Sequence, residues 1–146
     1  MSKNLAIQFI IMVIVGMAFN PMNMLAYRFN DLYVSLTLFY GGLLMASNML
    51  WSHEIIHYLT MNKFNSNIFL LGICLSLFVY ILLRKQFLVN DNQWLKRMIS
   101  HNSTALTTSN IIYKKTKNNK IKKLAKDIIE TQEKEIILMN DMLDNH

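Results

Sequence analysis

The sequence predicts an all-α fold, three transmembrane helices followed by an antiparallel helical hairpin. Three observations carry that expectation. Of 146 residues, 53% are apolar and only 16% charged, and the mean hydropathy is positive, which few water-soluble domains show. Up to Leu83 the formally charged side chains are Lys3, Arg28, Asp31, Glu54 and Lys63 alone, and they separate three long apolar stretches. After Asn90 the pattern changes to polar sequence with apolar residues every three or four positions, and no strand alternation occurs anywhere.

The elements follow in order. The first span is expected at about 5–26, starting as Leu5 to Phe19 and running past Pro21 as a kinked helix. Lys3 ahead of an apolar run resembles a secretory signal, but no small-x-small cleavage site follows, so an uncleaved anchor is expected. The second and third spans are expected at 32–51 and 68–83, the latter stopping at Arg84 and Lys85, whose charges favour the headgroup region. A span needs about 20 apolar residues. Residues 1–86 thus form a multi-pass membrane domain, with the lipid bilayer as its first partner. Arg28, Arg84, Lys85, Lys96 and Arg97 outnumber Lys3 and Lys63 on the opposite side, which puts the C-terminal hairpin in the cytoplasm. The single Cys74 has no partner within the chain and leaves the redox compartment open.

Residues 90–146 form the second domain. One helix is expected to start near Asp91 or Asn92, with Trp94, Met98, His101, Ala105, Thr108 and Ile112 as its seam. The other follows the turn Lys117–Lys120, with Ile121, Ala125, Ile128, Gln132, Glu135, Met139 and Met142 facing it. Antiparallel pairing about that turn sets His101 opposite Glu135, Met98 opposite Met139 and Trp94 opposite Met142. Polar groups on an apolar seam must satisfy one another, water or a ligand, because unpaired burial costs roughly 1–3 kcal/mol. His101 and Glu135 either form a hydrogen-bonded pair that fixes register, or join Met98 and Met139 as metal ligands. Imidazole with thioether suits copper, imidazole with carboxylate also zinc, so copper is expected before zinc. One hairpin offers too few ligands to close a site, and two hairpins pairing into a four-helix homo-oligomer would complete one.

The run Met98, Ile99, Ser100, His101, Ala105, then Leu124, Ala125, Ile128, Ile129, Gln132, Glu135, Ile136 and Met139, resembles the ferritin-like family called domain of unknown function 305. Its signature looks like M-I-x-H-H-x-x-A followed by L-A-x-x-I-I-x-x-Q-x-x-E-I-x-x-M. The Met-rich spans and the Leu82-Leu83-Arg84 ending also look like its membrane-anchored members. The resemblance implies a ferritin-like hairpin and a group associated in some cases with copper. Here Asn102 stands in place of the second His, which removes one imidazole.

His53, Glu54 and His57 spell H-E-x-x-H, which on a helix places two imidazoles on one face beside a carboxylate. In zinc proteases that spacing binds metal, but it needs a third ligand and a cleft, and neither Asp31 nor Asp91 has a motif of its own. A membrane metalloprotease is therefore the remote alternative, and a non-enzyme the expectation. Met45, Met49, His53 and His57 advance by four, a ladder that would hold or pass copper, or else flexible apolar filler ending in two interfacial histidines. The basic tip, Lys114, Lys115, Lys117, Lys120, Lys122, Lys123 and Lys126, is expected to be a solvated surface, with no nucleic acid bound, since no aromatic platform is interleaved. The function expected is metal binding or sequestration by an integral membrane protein. A structural or oligomerisation module is its alternative.

Overall fold

A computed structural model describes residues 3–145; Met1, Ser2 and His146, at the ends of the two expected domains, lie outside the described residues. Among the described residues the chain is all helical. Its helices are α1 (Lys3–Ala18), the short α2 (Pro21–Met24), α3 (Leu36–Met61), α4 (Ser66–Arg84), α5 (Asp91–Lys115) and α6 (Asn119–Asp144), with one 3-10 turn at Phe29–Asp31. They divide into two compact units, and the division does not follow chain order.

The first unit contains α1, α3 and α4, with α3 packed against both neighbours. Asn20 ends the expected kinked helix early. Its side chain accepts from Met22 N and Asn23 N at 2.9 and 3.0 Å, and Pro21 supplies a first helical residue that has no N–H to lose. Among the described residues the stretch Asn4–Met24 and α4 are long and apolar enough to cross a membrane; α3 is not, so two candidate spans replace the expected three. The reason lies in its composition. The second apolar stretch continues to Met61 as one helix of 26 residues that carries Ser47, Asn48, Ser52, His53, Glu54 and His57, and Ser47 and Glu54 are buried against its neighbours.

Glycine sets how closely these helices pack. A Cβ on Gly42 would fall 2.8 Å from Val13 O of α1, and one on Gly72 of α4 would fall 2.8 Å from Trp51 N of α3. Side chains are therefore excluded where the backbones cross.

The second unit is the hairpin α5–α6 together with Asn20–Ser35, a segment remote in sequence that was expected to belong to the membrane domain. Asn90 caps α5 through Gln93 N, and Asn118 caps α6 through Lys120 N and Ile121 N. The core is Leu95, Ile99, Leu106, Ile136 and Met139, with Tyr33, Met98, Ile129 and Leu143 packed on it. The buried series on α5 is Leu95, Ile99, Asn102, Leu106 and Ser109. The expected seam of Trp94, Met98, His101, Ala105, Thr108 and Ile112 lies one residue earlier, and Trp94 and Ile112 are exposed. One residue is about 100° of helix rotation.

What turns the helix is the segment Asn20–Ser35. Ser103, wholly buried, donates to Asp31 Oδ2 at 2.6 Å and accepts from Tyr27 N at 2.8 Å. Ser100 donates to Asp31 O at 2.8 Å and accepts from Tyr33 N at 3.2 Å, while Thr104 donates to Met22 O at 3.0 Å. Tyr33 OH donates to Asn140 Oδ1 of α6 at 3.0 Å, so the segment touches both helices. The Arg97 guanidinium donates to the Met22 thioether, and partial burial lowers its pKa from the ordinary arginine value.

Candidate metal centre

Near its C-terminal end α3 presents His53, Glu54 and His57. The two imidazoles, four residues apart, lie in tilted contact with ring centroids 4.1 Å apart, and one ligand atom from each of the three residues lies within 4.8 Å of the others. Glu54 is 6% exposed. Its Oε2 accepts from Asn65 N at 2.9 Å, and its Oε1 lies 3.9 Å from His53 Nδ1.

The turn that closes this arrangement is built on two asparagines, Asn62 and Asn65. Asn62 takes a left-handed conformation, φ 53°, which asparagine tolerates better than most residues, and its N–H bonds to Tyr58 O at 3.1 Å. The chain then reverses through Lys63 and Phe64. Asn65 caps α4 by accepting from Asn67 N and Ile68 N, while its own N–H is held by Glu54. The result is a cleft of about 370 Å³ lined by the triad, by Asn4 and Gln8 of α1, and by Lys63 and Asn65.

Chemically the cleft offers two imidazole nitrogens and one carboxylate oxygen, a donor set for a divalent transition metal with a coordination position left open. Glu54 is poorly disposed as a general base, because a base must reach the proton that it removes and this carboxylate is buried against the Asn65 amide. Among the described residues no thioether lines the cleft. Met45 instead packs over Gly16, its Sδ 3.0 Å from where a Cβ on that glycine would stand, so the ladder Met45, Met49, His53 and His57 does not converge on one pocket.

The hairpin has a cleft of its own, about 320 Å³, where Met98, Met139 and Glu135 do come together, with Trp94, Leu138 and Met142. His101 is exposed and does not line it. Its place beside the carboxylate is taken by Asn102, whose Nδ2 donates to Glu135 Oε2 at 2.8 Å. Sequence reading passed over Asn102 as a partner, and over Asn4 and Asn65 in the first cleft, whereas Gln8 stands out in sequence as a polar group within an apolar helix. The heptad-like series that starts at Leu95 would have pointed to Asn102; nothing local marks Asn4 or Asn65.

A polar-capped helical hairpin with a buried Ser, Asn and Met seam is thus the class of domain that ends this chain. Residues 89–146 match the family model described as Domain of unknown function (DUF305). The chain belongs to this family. It is similar to "Uncharacterized protein L153" of Acanthamoeba polyphaga mimivirus, with 33% identity over 144 residues, 99% of this chain and 94% of the relative. That similarity runs through the apolar helices as well as the hairpin. No solved structure matches the chain.

Proposed function

We propose that this is a membrane-anchored metal-binding protein whose principal station is the cleft of His53, Glu54 and His57. The observation that carries the reading is the convergence of three ligand atoms within 4.8 Å beside a cleft of about 370 Å³. Two imidazoles with one carboxylate suit copper(II) or zinc, and the general order of divalent affinities puts copper first. Anchoring in a bilayer is supported by the outward faces of α1 and α4, where Ile10, Ile14, Leu77, Phe78 and Ile81 are each more than half exposed. Arg84 at the end of α4, with Lys85, Lys96 and Arg97 beyond it, favours a cytoplasmic hairpin.

A second reading applies to the hairpin. Met98, Met139 and Glu135 would make a softer, subsidiary station for cuprous ion, but the bond from Asn102 to Glu135 favours a structural role in which this pair fixes the register of α5 on α6.

The test is a competition titration of the detergent-solubilised full chain with cupric and zinc ions. Replacing both histidines, His53→Ala with His57→Ala, is expected to weaken binding by more than about a hundredfold, because changes outside the ligand shell alone cost ten- to a hundredfold. Met98→Ala with Met139→Ala is expected to leave it unchanged. Equal affinity in the histidine variant and the parent would overturn the assignment.

A further inference from the structure

The strongest charge feature of the molecule is the turn of the hairpin. Seven lysines fall between Lys114 and Lys126, with no acidic residue among them, and all seven are exposed. Among the described residues only Lys126 has an ion-pair partner, Glu130 at 3.6 Å, and Lys122 stands 5.3 Å over the Tyr113 ring. Packing such charge on one turn without counter-ions opposes folding through self-repulsion, which an external anion would relieve.

The same turn also exposes aliphatic side chains. Ile111 is 45% exposed, Ile121 43% and Leu124 60%, although the hairpin buries apolar residues elsewhere along its seam. Ile121 and Leu124, three residues apart, share a face of α6. Lysines interleaved with exposed aliphatic residues match the boundary of an anionic bilayer, where the ammonium groups reach phosphates and the aliphatic groups enter the upper acyl region. A single-stranded nucleic acid would call for stacking platforms, and the one aromatic ring here, Tyr113, is already covered by Lys122.

We propose that the hairpin turn, Ile111 to Lys126, is a docking surface for an anionic lipid bilayer. This is a peripheral contact made by the second unit, separate from the anchoring of the first. It rests on neither metal station.

The experiment uses the full chain in phosphatidylcholine nanodiscs, with Cys74→Ser and an environment-sensitive dye on Asn119→Cys at the turn. Vesicles are then added, either pure phosphatidylcholine or containing about 30 mol% phosphatidylserine, and a parallel set of nanodiscs carries the same anionic fraction. The expected result is a blue shift of the dye with phosphatidylserine, in either geometry, reversed by salt and absent with phosphatidylcholine. Replacing Lys114, Lys115, Lys122 and Lys123 by Gln is expected to weaken it at least about tenfold. Ile121→Ser with Leu124→Ser should reduce the blue shift while leaving part of the salt-sensitive vesicle capture. A dye that stays water-exposed with phosphatidylserine at low salt overturns the proposal. Uptake of a single-stranded oligonucleotide by a turn that ignores phosphatidylserine overturns it in favour of nucleic acid.

Discussion

Asp31 shows how one buried charge organises the hairpin unit. Its carboxylate is 3% exposed and takes its shortest contact from Ser103, a hydroxyl that also accepts the Tyr27 amide. Removing one partner of a buried charged group leaves its desolvation uncompensated. Ser103→Ala is therefore expected to cost about 2 kcal/mol, measured as a loss of unfolding free energy in denaturant, and an unchanged midpoint would mean that water replaces the hydroxyl. Two of these residues sit inside the family signature as ordinary positions, Ser100 and Ser103, and no pattern in the chain links them to Asp31, about seventy positions away. Likewise Asn102 reads in sequence as a lost ligand, whereas it is the residue that pairs with Glu135.

At the scale of elements, helix crossings depend on where side chains are missing. Gly72 meets the Trp51 backbone nitrogen, which cannot move without moving α3, whereas Gly41 has nothing within 4 Å of an added Cβ. Gly72→Ala is expected to destabilise the first unit by about 1–3 kcal/mol through overpacking. Gly41→Ala should instead be neutral or stabilising by roughly 0.5–1 kcal/mol, since alanine favours helix. Thermal unfolding in mild detergent checks both, and equal effects would show that the crossing is more compliant than its geometry. The positions of the hairpin helices were largely readable: a start near Asp91 or Asn92, apolar residues at helical spacing and the Lys117–Lys120 turn mark α5 and α6 within a few residues. Which stripe of α5 faces α6 was not. Two series with the same spacing run one residue apart along that helix, and local pattern does not choose between them.

For the whole molecule, the family match covers 89–146, but the compact unit that contains it also includes Asn20–Ser35. An excised hairpin would strip Ser103 of its bonds to Asp31 and Tyr27, leave Ser100 and Thr104 with only their bonds to carbonyls within α5, and uncover the face that Tyr33 packs on. Residues 89–146 produced alone are expected to exchange amide hydrogens in α5 substantially faster than the same residues in the full chain. Identical protection would show that the hairpin stands by itself. The apolar N-terminal half, the all-helical class and the hairpin all follow from composition and periodicity, because helix formation and burial in lipid respond to local runs of residues. The H-E-x-x-H spacing likewise brings His53, Glu54 and His57 together without help from the rest of the chain. Long-range packing settled the remainder: α3 became an inner helix with a buried carboxylate, that carboxylate was tied to Asn65, and a distant segment rotated α5 so that Asn102, not His101, meets Glu135. These outcomes depend on which surfaces meet, and a contact between residues far apart in the chain has no period to reveal it.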